Sequence, residues 1–238
     1  MSLLSNHPRS VKLLRWGIRD YAPSWALQEE LFKSVEEGKL LRRNGQTVQY
    51  PVNYLITVEH PPVYTLGKSA NAANLIYPEQ FYIEKGAQIF KTNRGGDVTF
   101  HGPGQLVVYP IFDLDQFFTD IHKYLRFLEE AVIRTLAEYG IIADRSPGET
   151  GVWIDPKGLQ PRKICAMGVR AARWITMHGL SLNVNTDLRW FDYIIPCGIR
   201  NKAVTSLKEE LNREVPLQEV EEKLLRHFKE LFEFQWHR

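Results

Sequence analysis

Lys163-Ile-Cys-Ala-Met-Gly-Val-Arg-Ala-Ala-Arg-Trp-Ile-Thr-Met-His-Gly-Leu-Ser-Leu-Asn-Val184 reads as two strands with almost nothing between them. Ile164–Val169 and Ile175–Val184 look like neighbours joined near Ala171–Trp174. In the second, His178, Leu180, Leu182 and Val184 share one face, and Gly179, Ser181, Asn183 and Asn185 share the other. Working upstream, Gly151–Asp155 is a strand, and Pro156–Arg162 is a basic loop. Before these, Ile121, Leu125, Leu128, Val132, Leu136 and Tyr139 step by four and three, which marks an amphipathic helix stopped at Gly140.

Leu106–Ile111 is apolar on both faces, as a central strand is. Gln88–Thr92 and Val11–Trp16 read as further strands, and Val63–Leu66 as extended chain. Val52–Val58 alternates imperfectly, because Leu55 makes both faces partly apolar. Trp25–Leu41 and Pro216–Phe234 carry helical spacing; in the latter Val220, Leu224, Phe228 and Leu231 turn inward. Strands and helices mix without strict alternation, so the predicted fold class is α+β with a mixed β-sheet flanked by helices. No repeat, linker or composition break interrupts residues 1–238, and a single domain is expected.

The 238 residues are 44% hydrophobic and 24% charged, which suits a folded globular chain. A net charge of +2 is too small to argue for nucleic acid. No apolar run approaches the roughly 20 residues that span a bilayer. Met1–Ser10 has no apolar core of a secretory signal. With two cysteines, read as free thiols, the expected setting is the cytoplasm.

Chemistry enters at Pro196-Cys-Gly198. A cysteine between proline and glycine sits on a turn that presents its thiol. An unperturbed thiol is only a few per cent thiolate at neutral pH. A nearby ammonium favours the anion, and Lys163 is the candidate. Two readings of Lys163 stand open, a solvated surface lysine or the partner of Cys197. The fold decides by bringing the two together or not. Cys165, inside an apolar strand, reads as a small buried hydrophobe.

Arg94-Gly-Gly-Asp-Val-Thr-Phe-His-Gly-Pro-Gly-Gln105 is a polar, glycine-rich run suited to cradle a substrate, although a hairpin with a polar turn fits it too. Arg94 can take a carboxylate, phosphate or carbonyl oxygen. Thr99 and His101 alternate on one side. His60, before two prolines, shapes a loop. His178 is either a pocket or a core residue. His-x-x-x-His and Cys-x-x-Cys are both missing, so no metal is expected. Gly67-Lys68-Ser69 ends like a phosphate loop, but Pro62 stands where its first glycine belongs. No nucleophile elbow or dinucleotide fingerprint occurs, and no cofactor is implied.

The Arg94–Gln105 run closely resembles the signature of the lipoyl(octanoyl) transferases. So do His60-Pro-Pro-Val-Tyr-Thr-Leu-Gly67, Lys163-Ile-Cys-Ala-Met-Gly168, His178-Gly-Leu-Ser-Leu-Asn183 and Pro196-Cys-Gly198. Five motifs stand in the expected order. The resemblance implies a fold like the catalytic domain of biotin and lipoate protein ligases. It implies an enzyme that takes octanoate from octanoyl-acyl carrier protein and places it on a lysine of lipoyl domains. Those acceptors belong to the E2 subunits of 2-oxoacid dehydrogenases and to the glycine cleavage H protein.

Carried over residue by residue, the resemblance makes Cys197 the thioester carrier and Lys163 the group that lowers its pKa. Substrate contacts fall on Arg94, Gly95, Gly96, Asp97, Val98, Thr99, Phe100 and His101, on Ala166, Met167 and Gly168, and on Gly179, Leu180 and Ser181. An amidotransferase between lipoyl proteins, an ATP-dependent ligase of the same fold and an acyl-binding module are the alternatives. A monomer is expected, without nucleic acid or membrane as partner. The basic segment Lys157–Arg173 is a candidate dock for an acidic partner protein, or simply a solvated loop.

Overall fold

Leu106–Ile111 has no polar side because both of its faces are covered. The structure, a computed structural model, describes residues 9–46, 53–195 and 203–237. Strand β6 (Gln105–Ile111) runs through the middle of a large sheet and is buried along its length. Leu106 and Val108 enter a core shared with helices α3 (Ile121–Ala137) and α5 (Leu217–Phe232). Val107, Tyr109 and Ile111 enter a second core under helix α1 (Tyr21–Arg43). Strand β2 (Asn53–Glu59) behaves likewise: Leu55 faces α3 and α5, while Ile56 and Val58 face α1. Three layers, helix on sheet on helices, leave neither strand a solvent face on which to place polar residues.

Along the sheet the order is β12 (Gln235–Trp236), β1 (Ser10–Ile18), β2, β6, β10 (Ile175–Asn183), β9 (Arg162–Ala172), β8 (Glu149–Ile154) and β7 (Ala143–Ser146). A short strand, β11 (Ala203–Val204), also pairs with β9. β1 runs parallel to β2 and β12, and β11 to β9. β6 is antiparallel to β2 and β10, and β9 to β10 and β8. The sheet is therefore mixed and the fold α+β, as the sequence predicts. β9 and β10 are hydrogen-bonded neighbours from Ala172 and Ile175 back to Cys165 and Leu182.

A small second sheet, in the order β4 (Gln88–Lys91), β3 (Val63–Leu66) and β5 (Val98–His101), has its own aromatic core. There Phe100 stacks on Trp190 with centroids 5.2 Å apart, and Tyr64 meets Tyr82 edge-on at 4.9 Å. Helix α1 begins at Tyr21 rather than Trp25, because Pro23 sits in the first turn, where no backbone N–H has a partner to lose. Asp120 caps α3, accepting from the Lys123 N–H at 3.0 Å. Among the described residues, no helix is long and apolar enough to cross a membrane.

One predicted face is corrected. His178 takes φ +57°, which breaks the alternation of β10. Leu180, Leu182 and Val184 do share the α3–α5 core. The His178 ring lies instead beside Trp25 and Tyr109, on the α1 side of the sheet.

Candidate active site

A cavity of about 620 Å³ opens where β9 and β10 meet the 94–101 segment of the small sheet. Val107, Met167, Val169, Leu180, Phe191 and Val204 give it an apolar wall. Its size suits a small organic ligand. Of the predicted contact residues, Arg94, Gly95, Gly96, Asp97, Val98, Thr99 and His101 line it, with Ala166, Met167, Gly168, Gly179, Leu180 and Ser181. Phe100 does not. Its ring stacks on Trp190, in the small sheet's core.

Arg94 lines the cavity, but its donors are engaged by the protein. Nε and Nη2 reach Thr65 Oγ1 at 3.2 and 2.9 Å, and Nη2 also reaches the Thr65 carbonyl and the Asp97 carbonyl, the latter at 2.7 Å. Nη1 binds the Gly95 carbonyl at 2.9 Å. This guanidinium bolts the glycine-rich segment to β3. Against that bolt lies Gly168, where a Cβ would stand 2.7 Å from the Gly95 oxygen and 3.1 Å from Arg94 Nη1. Only a glycine lets β9 approach the segment so closely.

Three histidines gather around the inner part of the cavity. His60 is wholly buried, with Nδ1 2.6 Å from the Arg19 carbonyl and Nε2 2.8 Å from the Tyr109 hydroxyl. His101 Nδ1 lies 2.8 Å from Gln105 Oε1. Gln105 Nε2 donates to the Phe100 carbonyl and to Asn183 Oδ1, so its oxygen is the end that receives the His101 proton. Burial lowers the pKa of His60 to about 4 and, with His60 alongside, that of His101 to about 3. His178 is brought to about 3 by burial and then by Arg94 and Arg170. All three rings are neutral at pH 7. Burial also raises the pKa of Tyr21 and of Tyr109, so both hydroxyls stay protonated.

Lys163 stands at the start of β9, paired with Val204 on one side and Trp153 on the other. Its Nζ sits 4.6 Å from the centre of the Trp153 ring. Gly151 lies beneath it, at φ +121°, where a Cβ would meet the Cys165 carbonyl at 2.5 Å and Lys163 Cε at 3.5 Å. The buried carboxylate of Glu129, from α3, accepts the Gly151 N–H at 3.1 Å and pairs with Arg126 and Arg145 at 2.8 and 3.0 Å. Cys165 is fully buried, and burial pushes its thiol well up, which suits the inert role predicted for it.

Cys197 lies outside the described residues. The described chain pauses after Ile195, whose N–H binds the Asn74 carbonyl at 2.9 Å, and resumes at Ala203. Val204 then pairs with Lys163 and lines the cavity.

Residues 20–229 match the lipoyl protein ligase A/B catalytic domain. The chain belongs to that family. Within the lipoyl protein ligase family it resembles an octanoyltransferase of Christiangramia forsetii, 59% identical over 226 residues, covering 94% of this chain and 97% of the relative. An octanoyltransferase of Flavobacterium psychrophilum is 55% identical over the same length and coverage. A bipartite lipoate protein ligase of Thermoplasma acidophilum shares the fold, with a TM-score of 0.69 at 19% identity, over 96% of this chain and 86% of that one.

The predicted basic dock is largely neutralised. Arg162 is gripped by Glu210 through two contacts of 2.6 Å, Arg170 pairs with Glu29 at 3.1 Å, and Arg173 with Glu36 at 2.5 Å. These acids come from α1 and from helix α4 (Leu207–Leu211), distant in sequence. Tyr21, Val107, Tyr109, Leu125 and Gly148–Thr150 line the cavity without belonging to any quoted motif. Only the double-sided burial of β6 hinted at Val107 and Tyr109.

Proposed function

We propose that this family member is an octanoyltransferase of protein lipoylation, working through a thioester on Cys197. The observation that carries the reading is an apolar-walled cavity with Lys163 among its lining, paired with Val204 of β11, where the described chain resumes after residue 195. In the first step the Cys197 thiolate attacks the octanoyl carbonyl. The bond to the carrier's sulfur breaks, and the carrier leaves as a thiol, taking its proton from the Lys163 ammonium, which is left neutral. In the second, a lysine amine of a lipoyl domain attacks the enzyme thioester. A C–N bond forms, the C–S bond breaks, and the amine's proton passes to Lys163 or to the departing thiolate.

Lys163 would favour the thiolate as an adjacent cation; a downward shift of about two units is worth roughly 2.7 kcal/mol. The alkyl tail lies along the apolar wall, where seven carbons contribute at most about 5–6 kcal/mol. Acyl carrier protein is the donor in this reading, and lipoyl domains are the acceptors. The chain acts as a single catalytic domain and a monomer, in the cytoplasm. Incubation with octanoyl-acyl carrier protein should add one octanoyl group to Cys197 by mass spectrometry, and none to Cys197→Ala. Transfer at an undiminished rate by Cys197→Ala overturns the thioester. Acylation by octanoyl-lipoyl protein alone reassigns the donor.

A further inference from the structure

His178 is bent where β10 loses its pairing to β6, since the register that joins Leu180 to Val108 sets Pro110, which has no N–H, opposite it. β10 pairs with β9 without a slip from Ile175 to Leu182, yet within that run His178 takes the left-handed conformation. A residue bearing a side chain seldom adopts it. Its neighbours hold it there. The His178 N–H is taken by Gln28 Oε1 from α1 at 3.1 Å, and Nε2 lies 2.6 Å from Asn93 Oδ1. Asn93 Nδ2 donates to Glu29 at 2.8 Å, and Arg170 holds the same carboxylate. With the amide nitrogen committed to Glu29, the amide oxygen faces the ring, so Nε2 carries the imidazole proton. These contacts fix the ring of a residue that lines the cavity.

Position says which function. His178 pairs with Val169, six residues along β9 from Lys163, about 20 Å at the usual strand rise. The Lys163 side chain at one end and the imidazole at the other occupy part of that span. What remains takes an extended alkyl chain of medium length. Apolar contact cannot set its limit, because each added methylene only adds apolar burial. Rejection of longer chains takes a wall that does not yield.

Resting on the acyl-transfer reading above, we infer that His178 is the specificity-determining stop of the acyl channel. Its ring, swung out of the strand's alternation, closes the end remote from Lys163 and sets the longest chain held. Asn93 is a positioning residue that keeps the ring in place.

The test measures thioester formation on the intact protein with acyl-carrier-protein thioesters of even length from six to sixteen carbons. Glycine accepts the left-handed backbone, so His178→Gly removes the ring without adding strain. Its dodecanoyl-to-octanoyl rate ratio should rise about tenfold or more over the wild type. Asn93→Ala should move the ratio the same way by less, and it decides the matter if His178→Gly does not fold. Wild-type length profiles in the folded variants overturn the stop alone. A wild type that takes up no acyl group from any of these donors overturns the acyl-transfer reading itself.

Discussion

The two ends of the cavity are built on opposite plans. At the Lys163 end an ammonium over an indole stands beside a carboxylate and two arginines, close to the loop that returns the chain to β9. At the His178 end three imidazoles and two phenols are buried and neutral, each tied to backbone or to a neighbouring side chain or ring. One end offers an ammonium suited to moving protons; the other sets neutral rings beside the Arg94 guanidinium, which the protein itself holds through Thr65, Gly95 and Asp97. A site that holds an oily chain while exchanging what is attached to its head needs a reactive head and a tail end that does not yield. A neutral head could not activate a thiol.

That contrast is broken most severely by removing the charge. Lys163→Met should slow thioester formation by about 10²–10⁴-fold, measured by quenched-flow mass spectrometry. A loss below tenfold would mean that the ammonium has no part in activating the thiol.

The neutral end is sharpened by acid. Folded, His60, His101 and His178 stay unprotonated down to about pH 4, 3 and 3; unfolded, each takes a proton near 6.5. Below pH 6.5 the unfolded chain therefore binds more protons, and stability falls as pH falls, until the folded values are reached. The loss is at most about 2 kcal/mol per histidine between pH 6.5 and 5. Urea midpoints at pH 7.5, 6 and 5 should decline in that order. A midpoint constant over the range would contradict neutral burial.

The smallest effect tests the rim. Arg162 is already engaged by Glu210, so Arg162→Ala should cost about 0.2–1 kcal/mol in denaturant titration. It should change KM for carrier or lipoyl protein less than about threefold. A tenfold rise in KM would restore this segment as a docking surface.

Much of this was legible beforehand. The strand pair 164–184 and the double-sided β6 follow from hydrophobic pattern, since a side chain's face is set by its neighbours at one or two positions. Lys163 and most of the glycine-rich run were readable as motif residues. Phe100 was misplaced because a motif records which residues travel together, not which way each one turns. Tyr21 carried no signal of a site, and Tyr109 only that of a buried strand, because an aromatic residue on a buried face looks the same whether it meets a cavity or a core.

Sequence alone determined the α+β class and the family motifs, because local pattern and residue chemistry act over short spans of chain. Tertiary structure decided what Arg94 holds, which arginines are free to meet a partner and where the His178 ring points. Those outcomes depend on groups such as Thr65, Glu210 and Asn93, which lie from about thirty to nearly ninety residues away along the chain from the groups they bind. Only folding brings them within hydrogen-bond reach.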